Sequence, residues 1–168
     1  MEKEEKIEEL LNKHNHIPYP SVPKLYPNKK YAMMLYDDFA GELGELSAIT
    51  QYIYEHIQLK QHNLISKTLV RIAIQEMKHL ALIGEVIKML AEEPMYINSN
   101  QQPWSSKNVK YDIRDMAKIM DYNIETEKMA IKGYEKILNY TGNKQLRKLW
   151  ERILLDENTH IEIFKCLK

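Results

Sequence analysis

The sequence predicts an all-α protein: an antiparallel four-helix bundle with one long crossover between its second and third helices, preceded by a short helix and a Pro-rich strap. Three observations carry that reading. Only five Gly occur in 168 residues and the six Pro sit at the front and in one loop, which leaves long uninterrupted stretches. Those stretches repeat apolar residues at helical spacing. The chain also repeats itself. Glu45-x-x-Ala-Ile-x-x-Tyr52 is followed, 31 residues after its Glu, by Glu76-x-x-His79. Glu127-x-x-Ala-Ile-x-x-Tyr134 is followed, after 30, by Glu157-x-x-His160.

Taken in order, residues 1–14 alternate acidic and basic side chains around Ile7, Leu10 and Leu11, the spacing of a short amphipathic helix. Pro18, Pro20, Pro23 and Pro27 then exclude helix or central strand and imply an extended strap. Its Ile17, Tyr19, Val22, Leu25 and Tyr26 are expected to lie on apolar surface, of the bundle or of a partner subunit. His14 and His16 read as solvated. Residues 1–28 are thus set apart from a bundle over residues 29–168.

The first bundle helix reads from about Lys29 to Gln61, with Gly41 and Gly44 inside it marking a close helix approach beside Glu45. The second runs from about Leu64 to Ala91, with Leu69, Ile72, Leu80, Ile83, Ile87 and Leu90 on or beside one stripe. Residues 92–109, with Pro94 and Pro103, form the one long irregular stretch. A third helix spans about Tyr111 to Tyr140, Thr141-Gly142-Asn143 is a tight break, and a fourth spans about Lys144 to Leu167. Short breaks within each half make hairpins, so the long stretch must carry the chain along the bundle.

Composition narrows the function classes. The formal net charge is zero, so no nucleic-acid or anionic-membrane partner is expected. A single Cys166 excludes a disulfide framework and any Cys-based metal site. No apolar run is long enough to span a bilayer and the charged first residues do not read as a signal peptide, so a cytoplasmic protein is expected.

Residues i and i+3 share a helix face, so each Glu-x-x-His can present a carboxylate and an imidazole to one metal ion. Two hairpins together bring Glu45, Glu76, His79, Glu127, Glu157 and His160 inward. Four buried carboxylates repel one another unless cations neutralise them. Two divalent ions do so, and oxygen-rich sites with one His per metal suit iron or manganese. Tyr52 and Tyr134, two turns beyond Glu45 and Glu127, are candidates for a supporting or redox role, or are simply core. Gln75 and Asp156 precede the Glu of each Glu-x-x-His and are placed to orient the opposite His. Glu42, one turn before Glu45, is a candidate for guiding metal, whereas Glu55, Glu85 and Glu135 read as solvated.

These motifs resemble the ferritin-like di-iron carboxylate superfamily. Glu45 to Tyr52 and Glu76 to His79 look like the first two helices of the bacterioferritin and rubrerythrin group, and Ile153 to His160 look like the fourth. The resemblance covers residues 35–167. It implies a ferritin-like bundle, the six metal ligands named above, and two iron ions, with manganese as the alternative. Three departures matter. The chain cannot build a Cys-rich rubredoxin domain, it has Ile124 and Ala130 where rubrerythrin carries an extra carboxylate, and it ends eight residues after His160 without the fifth helix of a cage. Met77 falls where bacterioferritin ligates haem but reads as core or interface packing, so haem is not expected.

The leading functional expectation is a non-haem di-iron oxidoreductase, a rubrerythrin-like peroxidase or ferroxidase acting on hydrogen peroxide or oxygen with an unidentified external electron donor. The alternatives are an iron-handling bacterioferritin-like protein, a di-manganese catalase-like enzyme, and a purely structural bundle. A homodimer touching through the strap is expected.

Overall fold

The computed structural model describes residues 2–168; Met1, the first residue of the predicted N-terminal helix, lies outside them. Six α-helices occur among the described residues: α1 (Glu2–Asn12), α2 (Lys29–Ala40), α3 (Glu45–Gln58), α4 (Asn63–Met89), α5 (Met116–Tyr140) and α6 (Lys144–Leu167). Their starts follow local chemistry. The side chains of Asn28, Asp115 and Asn143 each precede a helix and accept hydrogen bonds from its first free N–H groups, at Tyr31, Lys118, and both Gln145 and Leu146. Three acidic residues in the first turn of α1 complement its dipole.

The helices α3 and α4 pack as one hairpin and α5 and α6 as the other, while a long connection holding one short 3-10 turn, Ser106–Asn108, crosses between them. This is the all-α, ferritin-like bundle with one long crossover that the sequence predicts. Its first bundle helix, however, is not continuous. The segment read as one helix from Lys29 to Gln61 breaks after Ala40 and restarts at Glu45.

Sterics explain the break. A Cβ on Gly41 would lie 2.4 Å from the Asp37 carbonyl oxygen, and one on Gly44 would lie 2.5 Å from that oxygen and 2.8 Å from the Asp38 carbonyl oxygen. The backbone turns so closely over the last turn of α2 that only residues without a side chain fit. Ser47 fastens the turn by donating to the Gly41 carbonyl at 2.8 Å. Glu45 thereby becomes the first residue of α3, at the positive end of its dipole.

Two apolar cores fill the bundle. One joins α2 to the C-terminal half of α4, the C-terminal part of α5 and the N-terminal half of α6, around Tyr36, Phe39, Ile83, Ile87, Ile137 and Trp150. The other joins α1 and α3 to the opposite ends of those helices, around Ile7, Leu69, Ile72, Met120, Phe164 and Leu167. Trp150 is fully buried and donates to the Tyr31 hydroxyl at 2.9 Å, so its polar edge is satisfied inside the core.

The strap lies on its own bundle. Tyr19, Val22 and Leu25 pack against the first core, whereas Tyr26 is 92% exposed. Gln145 on α6 donates to the Ser21 carbonyl at 2.8 Å, and Arg152 donates through Nε to the Ile17 carbonyl at 2.8 Å. No helix of the described residues is long and apolar enough to cross a membrane.

The Gly44→Ala substitution should therefore destabilise the protein by about 1–3 kcal/mol, since backbone and not a flexible side chain must yield. Thermal unfolding should show this as a fall of roughly 2–4 °C per kcal/mol. An unchanged melting temperature would refute the tight turn.

Candidate metal centre

The polar residues occupy the level where one apolar core gives way to the other. Along α4, Glu76 and His79 lie between Ala73 and Ile83. Along α6, Glu157 and His160 lie between Ile153 and Ile163, and on α5 Glu127 lies between Ile124 and Tyr134. Glu45 enters from the start of α3. All six predicted ligand residues are brought together and buried, none more than 4% exposed.

The geometry forms two overlapping sets of donors. Glu45, Glu76, His79 and Glu157 each offer one atom within 4.8 Å of the others, and so do Glu76, Glu127, Glu157 and His160. Glu76 and Glu157 belong to both. His79 Nδ1 lies 2.8 Å from Glu76 Oε2, 2.9 Å from Glu157 Oε1 and 3.8 Å from Glu45 Oε1. His160 Nδ1 lies 2.9 Å from Glu76 Oε1 and 3.5 Å from Glu127 Oε1. The two imidazole centres are 6.2 Å apart.

An outer layer fixes these groups. The far nitrogen of His79, Nε2, is 3.1 Å from Asp156 Oδ2, and that of His160 is 3.2 Å from Gln75 Oε1. Each contact turns Nδ1 toward the carboxylates. The Tyr52 hydroxyl donates to Glu127 Oε1 at 2.5 Å, and the Tyr134 hydroxyl donates to Glu45 Oε1. Thus Gln75, Asp156, Tyr52 and Tyr134 all reach the cluster. Glu42 does not: it is exposed, in the turn before α3. Met77, read as packing, is 45% exposed on α4.

With this geometry in place, known proteins provide a comparison. A family model described as manganese containing catalase matches residues 13–94, a little under half of the chain, and so spans Glu45, Glu76 and His79 but not the second hairpin. A Clostridium acetobutylicum protein called "Probable manganese catalase" is 23% identical over 159 residues, covering 82% of this chain and 70% of the relative. Among solved structures, KatB, a manganese catalase from Anabaena, superposes with a TM-score of 0.78 at 22% identity over 88% of this chain and 74% of its own. The Desulfovibrio desulfuricans bacterioferritin, a protein with a diiron site, superposes with a TM-score of 0.62 at 24% identity, over 98% of this chain and 78% of its own. The chain has the ferritin-like fold.

In this ferritin-like bundle burial and mutual charge shift the proton affinities of the clustered groups. Burial, followed by the charges of Glu76 and Glu157, pushes Glu45 well above the usual carboxylate range. Burial and the charge of Glu157 push Glu127 up to about 8. Burial opposes the charged forms of both imidazoles. Contacts with Asp156, Glu157 and Glu76 nevertheless raise His79 well above its ordinary value, and the charges of Glu76 and Glu127 do the same for His160. Glu76 and Glu157, also opposed by burial, are held low by the imidazoles.

Unsatisfied atoms lie in the same cluster. Glu76 Oε1, Glu157 Oε1 and His160 Nδ1 are buried without a properly directed hydrogen bond, although the first and last are only 2.9 Å apart. Buried carboxylate oxygens and an imidazole nitrogen without directed partners suit a divalent cation. A cavity of about 20 Å³, the room of one water-sized molecule, lies against Glu45, Glu76, Glu127 and Glu157.

Sequence reasoning missed four residues here. Tyr19 in the strap donates to Asp156 Oδ2 at 2.5 Å and lies 3.3 Å from His79 Nε2. Arg152 holds both partners: its guanidinium stacks 4.3 Å from the Tyr19 ring centre and pairs with Asp156 at 2.6 Å. Burial opposes ionisation of Asp156, yet His79 and Arg152 keep it below the ordinary range. Asp38 lines the cavity. Glu55, read as solvated, is 2% exposed, bonded to Gln51 at 2.8 Å and Asn123 at 2.6 Å, and pushed up to about 7 by burial. Helical spacing does signal Arg152, which lies one turn before Asp156. Nothing in the sequence ties Tyr19 to a residue 137 positions away.

Two outcomes follow. Glu45, Glu127, His79 and His160 bind protons more tightly in the folded chain than in the unfolded one. The stability they contribute is therefore present at low pH and lost as pH rises through the folded values. Metal-free protein should lose about 1.4 kcal/mol of stability per pH unit for each extra bound proton between pH 6 and 9. Metal-loaded protein should not, and melting curves of both forms across that range are the check. Tyr19→Phe should weaken divalent-ion affinity by roughly tenfold while leaving the helical circular dichroism unchanged. Equal affinity in a competition titration would refute the role of the strap.

Proposed function

We propose that this chain binds two divalent ions, manganese ahead of iron, and disproportionates hydrogen peroxide to water and oxygen. The observation carrying this reading is the buried cluster of four carboxylates and two imidazoles with its two overlapping donor sets. The match to manganese containing catalase over residues 13–94 supports the choice of reaction.

One ion would be held by Glu45, Glu76, His79 and Glu157 and the other by Glu76, Glu127, Glu157 and His160, with Glu76 and Glu157 shared. Ions bound there supply the electron exchange with peroxide oxygen that no side chain in the pocket can perform. The protein supplies the rest. Tyr52 and Tyr134 hold Glu127 and Glu45 by hydrogen bonds to Oε1 of each. Asp156 and Gln75 fix the imidazole tautomers that present Nδ1 inward. The apolar cores on both sides exclude bulk water, and the cavity against the carboxylates has room for a molecule no larger than water or peroxide.

This reading departs from the leading sequence expectation of a rubrerythrin-like di-iron peroxidase or ferroxidase with an external electron donor. In disproportionation, peroxide is both oxidant and reductant, so no donor is required. The di-iron reading stays second, supported by likeness to bacterioferritin over 98% of the chain and by a donor set that accepts iron as readily as manganese.

The test is metal analysis of protein purified without added metal, followed by a peroxide challenge without reductant. Two manganese ions per chain and one oxygen released per two peroxides are expected. Glu127→Gln should lower metal affinity and turnover by roughly 100-fold or more. Two irons per chain and peroxide loss only with a reductant would replace the catalase reading by the peroxidase one. No metal uptake on reconstitution would overturn both.

A further inference from the structure

At the α2–α3 turn a single layer of side chains separates the cavity beside the four carboxylates from the surface. Asp38, Leu43 and Ala130 line the inner cavity and also line an outer groove of about 490 Å³ at the α2–α3 turn. On the opposite side the way in is blocked, because Tyr19 and Gln75 are committed to Asp156 and the histidines.

The wall is built around Asp38. Its carboxylate occupies space that a side chain on α5 would otherwise fill: a Cβ at Gly133 would lie 1.9 Å from Asp38 Oδ1. The last turn of α2 carries Asp38 and the break after Ala40 ends the helix there, so no further turn of α2 covers the groove. Among the described residues no other side chain hydrogen-bonds or ion-pairs with Asp38, and burial pushes its carboxyl up to about 7.

We propose that Asp38, hinged in the space left by Gly133 and backed by Leu43, is the gate through which divalent cations enter the carboxylate cluster. The inference rests on the reading that the cluster binds metal. An ion passing from water into a buried site sheds its hydration shell, and a carboxylate in the wall replaces one of the lost oxygens during passage. Contact with Asp38 does this work rather than a long-range field, since Asp37 and Glu42 at the groove are offset by Lys132 and Lys136.

A gate changes the rates of entry and exit by the same factor and leaves the equilibrium alone, whereas a ligand changes the equilibrium. Co²⁺ uptake by the metal-free full chain, followed by stopped-flow absorbance, and Co²⁺ release to excess chelator give both rates. Asp38→Asn is expected to slow both by roughly tenfold with the dissociation constant unchanged. Gly133→Ala, which displaces the Asp38 carboxylate, is expected to shift both rates by one common factor. Glu42→Gln, on the exposed rim, should match the wild type. Altered affinity in Asp38→Asn, or wild-type rates in both gate variants, would overturn the gate while leaving the metal reading intact. Absence of Co²⁺ uptake by the wild-type chain would overturn the metal reading itself, and the gate with it.

Discussion

Four carboxylates buried at one level of a helical bundle repel one another, and the rest of the structure is arranged around holding them there. Glu45, Glu76, Glu127 and Glu157 come from four different helices and are all almost fully buried. Ionised together without cations they would oppose folding by far more than any single contact could offset. Protons are one solution, and the raised values of Glu45, Glu127, His79 and His160 describe it. Two divalent ions are the other.

The two apolar cores explain why the cluster does not spread apart. Each long helix contributes to both, with its polar residues at the crossing, so moving a carboxylate outward would pull core residues such as Ile72 or Ile153 from positions of zero exposure. Losing one such large side chain from a core typically costs 2–5 kcal/mol. The cluster is thus held by packing above and below it. The outer hydrogen bonds then set direction, with Asp156 and Gln75 aiming the imidazoles and the two tyrosines aiming the outermost carboxylates. Through Tyr19 and Arg152 that layer extends to the strap, which belongs to the bundle it covers.

Much of this was legible in the residues. The repeated Glu-x-x-Ala-Ile-x-x-Tyr and Glu-x-x-His motifs assign Glu45, Tyr52, Glu76 and His79 to one hairpin and their counterparts to the other, because a helix converts spacing directly into shared faces. The same logic placed Gln75 and Asp156 beside the opposite histidines. It failed where spacing is not the deciding quantity. Gly41 and Gly44 read as a close helix approach inside one continuous helix, but the close return of the chain over Asp37 and Asp38 ends that helix. Glu55 read as solvated, yet Gln51 and Asn123 satisfy it inside the bundle. Glu42 sits one turn from Glu45 in numbering, but no helix joins them and it faces solvent.

The sequence by itself determined the order of the two helical hairpins, the position of the crossover and the six inward polar residues, since each follows from local periodicity and an internal repeat; the break between α2 and α3 it did not. Only the tertiary structure decided that Tyr19 reaches Asp156, that Arg152 clamps the strap, and that Asp38 lies in the space left by Gly133. Those contacts join residues 95 to 137 positions apart or depend on a missing Cβ. No helical period encodes such distances; they exist because two hairpins and a strap close around one buried set of charges.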